Sequence, residues 1–372
     1  MSTTKRVLLV GNYALDQQKS MQAYAQMLLR GLRELGVEVE FTAPKSILLS
    51  VGAKPVGVRK WIAYVDKFVI FPIRLRHMAK RFDWVHICDH SNGMYIPWIR
   101  GARHSVTCHD VIAIQAARGL IPGWRVGLTG RIFQTLILRG IKKVDRIICA
   151  SDLTRRDLQR LCPETAGRSV VVHNGLHSSF ARNGSWQRIL AKAGLMTLVR
   201  DGYFLHVGSD LPRKNRIAVV RIFAELRRRG RFTHSHLVFV GPPPNEAMRE
   251  IISYDGMEGH IHVLPNVDHE HLQALYSGAT ALIFPSLNEG FGWPVIEAQA
   301  CGCPVFASNV APMPEVGGDA ACYFDPADAV KAAALVEHSD LVQLRSGGYQ
   351  NSSRFTVDTM IRKLLSVWCY EI

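Results

Sequence analysis

The chain has 372 residues, enough for two domains of ordinary size, and its 48% apolar content is ordinary for a globular protein. No run of about 18 apolar residues offers a candidate for a membrane-spanning helix. The net charge of +14 lies in the first half, because residues 1–183 carry 28 Lys and Arg against 12 Asp and Glu. This asymmetry predicts two domains with different partners.

Strands and helices alternate through the first half of the chain. Apolar runs that stop at polar or turn residues predict strands at 6–11, 37–44, 84–89, 104–110, 146–151 and 169–175. Helical periodicity predicts helices at 21–36 and 153–162. The short N-terminal run KRVLLVG favours a first buried strand over a secretory signal.

The pattern then restarts near residue 200. Strands are predicted at 203–208, 236–241, 260–266, 279–286, 303–309 and 320–326, with helices at 217–230, 245–256, 269–278, 295–302 and 356–368. Alternation of this kind predicts parallel sheets. We therefore expect an α/β protein of two Rossmann-like domains facing a central cleft, joined by a linker at 180–200.

The predicted domain boundaries follow from the positive charge of residues 1–183 and from the strand–helix pattern that begins again near residue 200. The N-terminal domain is expected to span 1–183 and the C-terminal domain 184–354, with a last helix at about 355–372 packing back on the first domain. Eight cysteines occur without C-x-x-C spacing, and several lie in strand-like runs. This usage predicts reduced thiols in a cytoplasmic protein.

The stretch NEGFGWPVIEAQACG (288–302) has the composition of a ligand-binding loop. It joins a buried strand to a helix that begins near Pro294, and glycines beside helix amides favour an anion such as phosphate. Glu289 and Glu297 are suited to sugar or ribose hydroxyls, since carboxylates repel phosphate. The alternative is that the glycines and Pro294 only shape a tight turn, with Glu297 facing solvent.

Four motifs of the chain resemble those of one family. EGFGWPVIE (289–297) resembles the signature of retaining glycosyltransferases of family 4, which have the two-domain GT-B fold. HVGSDLPRKN (206–215), TCHDV (107–111) and VVVHNGLHSSF (170–180) match further segments of that family in the same order. The resemblance covers nearly the whole chain and is strongest from 203 to 325.

The resemblance implies roles for particular residues. His109 and Glu289 would be catalytic, orienting sugar hydroxyls and stabilising the developing cation of the ring. Residues that would bind the donor are Arg213 and Lys214 at the diphosphate, Gly290, Phe291, Gly292 and Glu297 in the loop and helix, and Val267 at the nucleobase through its backbone. The resemblance implies a retaining transfer, and because no D-x-D pair is evident we expect it to need neither a metal nor a cofactor.

Two departures from the family pattern concern phosphate contacts. Many relatives have a Gly-Gly loop after the first strand, whereas this chain has NYALDQQKSMQ at 12–22. Many also have Arg after the Gly of the VG turn, where this chain has Ser209. The positive charge that binds the diphosphate would therefore come from Arg213 and Lys214.

The variants PRKN and EGFG look like those of mannosyltransferases. The resemblance therefore favours GDP-mannose over UDP-sugars as the donor, with a saccharide or lipid-linked acceptor in cell-surface polysaccharide synthesis. Two alternatives stay open. One is a sugar-nucleotide epimerase of the same fold, and the other is a non-catalytic protein that binds a membrane or a nucleic acid.

Residues 54–81 hold eight Lys and Arg and one Asp, with Trp61, Tyr64, Phe68 and Phe71 interleaved. This composition predicts a basic surface for peripheral binding to an anionic membrane. The alternative is a solvated amphipathic helix packed on its sheet. No nucleic-acid motif accompanies the charge, so we expect no nucleic-acid partner.

The segment DHEH (268–271) has metal-like composition. Asp268 is nevertheless better placed as the N-cap of the following helix, where an acidic residue is favoured. We therefore predict no metal site there.

Overall fold

A computed structural model describes residues 5–16, 18–45, 64–176, 179–254 and 256–369. The chain divides into two compact units, residues 1–177 with 357–372 and residues 178–356. Among the helices of the described ranges, none combines the length and the apolar character needed to cross a bilayer.

The first unit contains, within its described residues, a six-stranded parallel sheet in the order β2-β1-β3-β4-β5-β6. Its strands are β1 (Arg6–Val10), β2 (Glu38–Thr42), β3 (Trp84–Ile87), β4 (Arg103–Cys108), β5 (Arg146–Cys149) and β6 (Ser169–Val171). Its helices before the crossing to the second unit are α1 (Lys19–Glu34), α2 (Phe71–Ala79), α3 (Ile112–Ala117), α4 (Leu128–Ile141) and α5 (Asp152–Leu161). A π-helical turn, Asp66–Ile70, leads directly into α2.

The second unit has, in its described part, a six-stranded parallel sheet in the order β12-β11-β10-β7-β8-β9. Its strands are β7 (Tyr203–Val207), β8 (His236–Val240), β9 (Ile261–Leu264), β10 (Ala281–Phe284), β11 (Val305–Ser308) and β12 (Cys322–Phe324). Its helices are α6 (Trp186–Lys192), α7 (Met196–Asp201), α8 (Arg216–Arg228), α9 (Glu246–Tyr254), α10 (His269–Gly278), α11 (Trp293–Ala300), α12 (Met313–Gly317), α13 (Ala329–His338) and α14 (Leu341–Ser352).

The last helix, α15 (Val357–Val367), belongs to the first unit. It is followed by Trp368, which is fully buried, stacks on Trp84 at 5.9 Å between ring centroids, and donates from Nε1 to Ser105 Oγ at 2.8 Å. A buried indole with its N–H satisfied anchors this end of the chain to strands β3 and β4.

The predicted α/β fold of two Rossmann-like parallel sheets is confirmed, and each predicted strand corresponds to an observed one.

The predicted linker at 180–200 is wrong, since this segment forms helices α6 and α7 of the second unit. Leu190 and Leu198 are buried at the centres of these helices, and the ring of Trp186 packs on Gly278 at the end of α10. The units divide at 177/178, ahead of the predicted boundary at 183.

Each sheet has a point where the direction of strand progression reverses. In the second unit this point lies between β7 and β10, and in the first unit it lies between β1 and β3. The loops beyond the carboxyl ends of such strand pairs diverge and leave a crevice in which ligands bind. The switch points therefore predict where to look for functional side chains within each unit.

Candidate active site

At the switch point of the second unit, the loop after β7 forms a turn that side-chain hydrogen bonds hold in place. Pro212–Lys214 make one turn of 3-10 helix, and Asn215 then adopts the left-handed region at φ 51°. The Asn215 side-chain amide donates to the Pro285 carbonyl at 3.2 Å and to the Pro326 carbonyl at 3.3 Å. These bonds hold the turn against the loop after β10, so that Arg213 and Lys214 are presented at fixed positions.

Arg213, Lys214 and Glu289 form one ionic cluster, here called the Glu289 cluster. Arg213 Nη1 lies 2.9 Å from Glu289 Oε2, and Lys214 Nζ lies 2.5 Å from Glu289 Oε1. The backbone reinforces it, because the Leu287 amide donates to the Arg213 carbonyl at 2.7 Å and Arg213 Nη1 donates to the Asn288 carbonyl at 2.9 Å. The motifs imply separate roles for these residues, and the structure brings all three together.

The electrostatics of the Glu289 cluster leave a net positive site. The Glu289 side chain is 8% exposed, and burial alone would raise its pKa. The attraction of Lys214 and Arg213 outweighs that effect and lowers the pKa of Glu289, so the carboxyl is ionised. Two cations share one carboxylate, which is the charge balance of a site able to accept a further anion.

The loop after Glu289 packs closely before α11. Gly292 has φ 103°, and a Cβ at this position would lie 2.6 Å from Met313 Cε, so only glycine fits. The Phe291 side chain is buried, with its ring 6.0 Å from Trp293 and 5.7 Å from Phe355. Phe291 can therefore serve a donor only through its backbone, as can Gly290.

Glu297 lies in the second turn of α11 and is buried. Its Oε2 accepts a hydrogen bond of 2.9 Å from the hydroxyl of Tyr276, itself fully buried on α10. The solvent-facing alternative for Glu297 is therefore wrong. A carboxylate has about four lone-pair sites, so the bond from Tyr276 does not use its full accepting capacity.

Val267 lines a cavity of about 310 Å³ at the end of β9. Its other walls are mostly apolar and come from the α6–α7 connection and α10, including Leu190, Leu195 and Leu275. Asp268 begins α10 beside it and accepts from the His271 amide at 2.9 Å, which confirms the predicted N-cap.

In the first unit, Asp89 lies at the switch point, two residues beyond the end of β3. Asp89 accepts from the Ser91 amide at 3.0 Å, the Ser91 hydroxyl at 2.6 Å and the Asn12 amide group at 2.5 Å. Asn12 lies in the 12–22 loop that lacks the family's Gly-Gly, and it links this loop to β3. His90 Nδ1 lies 3.2 Å from Asp89 Oδ1.

Asp89 and His90 each stabilise the charged form of the other. Burial opposes charge on both residues, but their mutual attraction outweighs it, raising the pKa of His90 and lowering that of Asp89. Both residues line a cavity of about 610 Å³ together with His109, Gln18 and Gln134. The sequence prediction missed this pair, although two polar residues directly after a buried strand were a usable signal.

His109 sits at the same edge, after β4. Its Nε2 lies 3.0 Å from the Cys88 carbonyl, and the Tyr24 ring meets its face edge-on at 4.6 Å. A carbonyl can only accept, so Nε2 carries the proton and Nδ1 carries the lone pair. Burial lowers the pKa of His109, which keeps the imidazole neutral. Asp110 accepts from the Ile112 amide at 3.0 Å, at the start of α3.

Within residues 54–81, the described aromatic side chains do not form the basic membrane-binding surface that the sequence predicts. Residues 54–63, including Trp61, lie outside the described residues. Phe71 is a core residue against Tyr95, at 5.0 Å between ring centroids, and Phe68 packs on Phe133. Lys67 is buried and pairs with Asp16 at 2.5 Å. These aromatics therefore fill the fold, because their positions face the neighbouring helices.

Two exposed apolar stripes lie on neighbouring helices of the first unit. Val65, Val69 and Ile73 form one stripe along the π-helical turn and α2, and Leu128, Ile132 and Leu136 form the other along α4. The contact between Phe68 and Phe133 joins the two helices beneath them. Apolar residues at i, i+4 and i+8 normally face a core, whereas these six side chains are exposed.

Two family descriptions match the chain. Glycosyl transferases group 1 matches residues 197–341, and Glycosyltransferase Family 4 matches residues 21–180. O-antigen chain mannosyltransferase B of Escherichia coli is 31% identical over 262 residues, covering 69% of this chain and 67% of that protein. O-antigen chain mannosyltransferase RfbU of Salmonella typhimurium is 23% identical, covering 64% of this chain and 63% of that protein.

Solved structures match over nearly the whole chain. Sucrose-phosphate synthase from Thermosynechococcus elongatus has a TM-score of 0.74 at 18% identity, covering 98% of both chains. WaaG, a glycosyltransferase involved in lipopolysaccharide biosynthesis, has a TM-score of 0.70 at 17% identity, covering 97% of this chain and 99% of that one. These structures establish the GT-B fold. With both family regions present and a relative above 30% identity, the chain belongs to the glycosyltransferases of family 4.

Proposed function

We propose that the protein transfers a hexose, mannose, from GDP-mannose to a hydroxyl of a saccharide acceptor carried on a lipid. The observation that carries the proposal is the Glu289 cluster, which places two cations at the switch point of the second unit. The mannosyltransferases of O-antigen chains named above favour mannose and polysaccharide synthesis. Anabaena HepE, of the same fold at 14% identity and a TM-score of 0.71, was solved with UDP and glucose, which supports a nucleotide-sugar as donor.

In this proposal the donor diphosphate binds Arg213 and Lys214 and replaces Glu289 as their partner. As the bond between the sugar C1 and the phosphate oxygen breaks, charge accumulates on the diphosphate, and the two fixed cations stabilise it without a metal. Glu289, displaced from the cations, accepts hydroxyl hydrogens of the sugar and stabilises its developing positive charge. Glu297 accepts from the nucleoside, and the backbone of Gly290, Phe291 and Gly292 contributes amides.

The acceptor hydroxyl attacks C1 from the face that the nucleotide leaves, and its proton passes to the departing phosphate oxygen. The configuration at C1 is thereby retained. His109 is neutral and has its lone pair on Nδ1, so it accepts a hydroxyl hydrogen and orients the substrate.

A transfer assay tests the function directly. We expect radiolabelled GDP-mannose to give an α-linked product with a lipid-linked saccharide acceptor, at an unchanged rate in excess EDTA, and proton NMR to show the donor's anomeric configuration. An epimerase would instead release an altered sugar nucleotide without an acceptor, and a binding protein would give no turnover. Inversion at C1, or loss of the rate in EDTA, would contradict the mechanism.

We further propose that the two exposed apolar stripes and the charge of the first half bring the enzyme to an anionic membrane. Three exposed cations lie on and just after α2, beside the apolar stripe that begins at Val65: Arg74, Arg76 and Lys80. Amphipathic surfaces with cations beside exposed aliphatic residues bind at the headgroup boundary. A lipid-linked acceptor would be reached from that surface.

Vesicle sedimentation separates this proposal from a purely soluble enzyme. We expect the double variant Leu128→Glu/Ile132→Glu to bind vesicles of anionic phospholipid at least about 10-fold more weakly, since each residue loses the burial of a large aliphatic side chain. Val342→Glu is a matched control, because Val342 is as exposed as Leu128, at 74%, and lies in the second unit. Equal binding by the double variant and the wild type would contradict the membrane surface.

A further inference from the structure

Arg216, the first residue of α8, is a buried cation with one unsatisfied edge. The residue is 6% exposed, and its guanidinium lies over the Phe239 ring of β8 at 4.7 Å from the centroid. Its Nε and Nη2 atoms are enclosed and have no hydrogen-bond partner among the described residues. These nitrogens form one edge of the guanidinium, where two parallel N–H groups can meet both oxygens of one anion. Enclosed donors without acceptors are unfavourable, so this edge favours a ligand that supplies them.

Arg216 lines a cavity of about 290 Å³, here called the Arg216 cavity, which lies where two helices begin. Ile217 contributes the first turn of α8 to its wall, and Met248 contributes the first turn of α9. Asn215, which precedes α8, makes no side-chain hydrogen bond to the first amides of that helix. The amino-terminal end of a helix carries a partial positive charge, so two such ends beside an unpaired guanidinium favour an anion.

The charges around the Arg216 cavity match an anion of single charge. The described residues that line it include one cation, Arg216, and one carboxylate, the exposed Asp210. Their formal charges cancel, so the remaining attraction comes from the two helix ends, each equivalent to about half a positive charge. A singly charged anion balances that sum, whereas a doubly charged phosphate would leave the cavity negative. An aliphatic group can contact the apolar part of the wall, formed by Leu211, Ile217 and Met248.

The Arg216 cavity lies apart from the proposed diphosphate site. Lys214 lies over the Phe284 ring of β10 at 5.3 Å, whereas Arg216 lies over the Phe239 ring of β8. Strand β7 lies between β10 and β8, so the two cations stand over different neighbours of one strand. A ligand in the Arg216 cavity therefore leaves the Glu289 cluster free to bind the donor.

We propose that the Arg216 cavity binds a small aliphatic carboxylate. Its two oxygens accept hydrogen bonds from Nε and Nη2 of Arg216, and its alkyl group packs on Ile217 and Met248. A planar carboxylate matches the two parallel donors of a guanidinium edge, and its single charge fits the charge of the cavity. This site is additional to the donor site and does not depend on the proposed transfer reaction.

Thermal unfolding in sodium isovalerate, compared with sodium chloride at equal ionic strength, tests the site. We expect about 20 mM isovalerate to raise the Tm of wild type by roughly 2–4 °C over chloride, because it binds only the folded protein. Acetate should raise the Tm less, since it lacks the aliphatic contacts. Arg216→Met should abolish the rise, whereas Arg221→Met, which replaces an exposed arginine of α8, should preserve it.

The Tm of Arg216→Met without ligand shows whether this variant is folded. It should equal or exceed that of wild type, because an enclosed, unpaired charge is removed. Calorimetric titration of isovalerate should then show a loss of at least about 10-fold in affinity relative to wild type. Equal rises of Tm in wild type and Arg216→Met, or no rise in wild type, would overturn the site.

Inorganic phosphate tests the class of anion. We expect wild type to bind phosphate at least about 10-fold more weakly than isovalerate, because the cavity holds only one net positive charge. Asp210→Asn removes the opposing carboxylate, so it should raise the affinity for phosphate more than that for isovalerate. Tighter binding of phosphate than of isovalerate by wild type would overturn the assignment to a carboxylate. None of these titrations uses a nucleotide, so their outcome is independent of the proposed function.

Discussion

Replacing Lys214 by alanine is expected to lower kcat/KM for sugar transfer by roughly 100- to 1,000-fold. The reason is that a fixed charge aimed at a leaving group acts in a water-poor site, where its loss from the transition state is not made good by solvent. The Lys214 side chain is 11% exposed and lies in a turn held by the Asn215 amide, so the variant leaves Arg213 as the remaining cation of the Glu289 cluster.

Initial rates at several donor concentrations provide the measurement. Both kcat and kcat/KM should fall, because the diphosphate gains charge as the bond breaks. Lys331→Ala is the control, since Lys331 is 87% exposed on α13 and pairs with Asp328 at the start of that helix. A Lys214→Ala enzyme whose kcat equals that of wild type, with only KM raised, would show that Lys214 binds the donor without stabilising its departure.

Glu289→Gln is expected to uncouple binding from turnover. Without the carboxylate, Arg213 and Lys214 lose their internal partner, so GDP should bind at least as tightly as in wild type. Turnover should nevertheless fall by roughly 100-fold or more, because the sugar loses its acceptor and the stabilisation of its positive charge. The free energy of unfolding of the ligand-free protein should fall by about 2–4 kcal/mol, since two adjacent cations are left without a counter-charge.

The stability loss also has a pH signature. Because the folded-state pKa of Glu289 lies below its ordinary value of 4.5, its ionic contribution is present above pH 4.5 and is lost as pH falls through the folded-state value. The difference in stability between wild type and Glu289→Gln should therefore shrink on acidification. Urea unfolding from pH 7 down to the acid limit of folding measures it.

Glu225→Gln is a matched control for this variant. Glu225 is likewise buried and pairs with two cations, Arg228 and Arg229, but lies within α8 away from the switch point. It should lose stability without a change in GDP affinity. Weaker GDP binding by Glu289→Gln than by wild type would contradict the view that Glu289 occupies the phosphate site in the ligand-free protein.

The fold was predictable because buried parallel strands appear in the sequence as short, continuous apolar runs. Runs such as VLLV (7–10) and ALIF (281–284) are fully buried on both faces and end at Gly or Pro. The error at 180–200 has the opposite origin. Its Gly, Ser and Asn suggest a linker, whereas Leu190 and Leu198 are buried and Trp186 packs on Gly278, far along the chain.

The sequence predicted which residues belong to the site, but not how they contact one another. Motifs identified Arg213, Lys214 and Glu289, yet the contact between residues 75 positions apart arises from the neighbouring strands β7 and β10. Asp89 and His90 carry no motif. Their significance comes from burial and from their position at a sheet edge, which only the folded chain defines.

Calorimetric titration of GDP-mannose in excess EDTA, into wild type and Lys214→Ala side by side, tests whether the Glu289 cluster binds the donor diphosphate without a metal. We expect a single wild-type site that forms in EDTA, and a loss of at least about 10-fold in affinity when Lys214 is replaced. Binding that appears only with added divalent cation, or equal affinity in the two proteins, would contradict it.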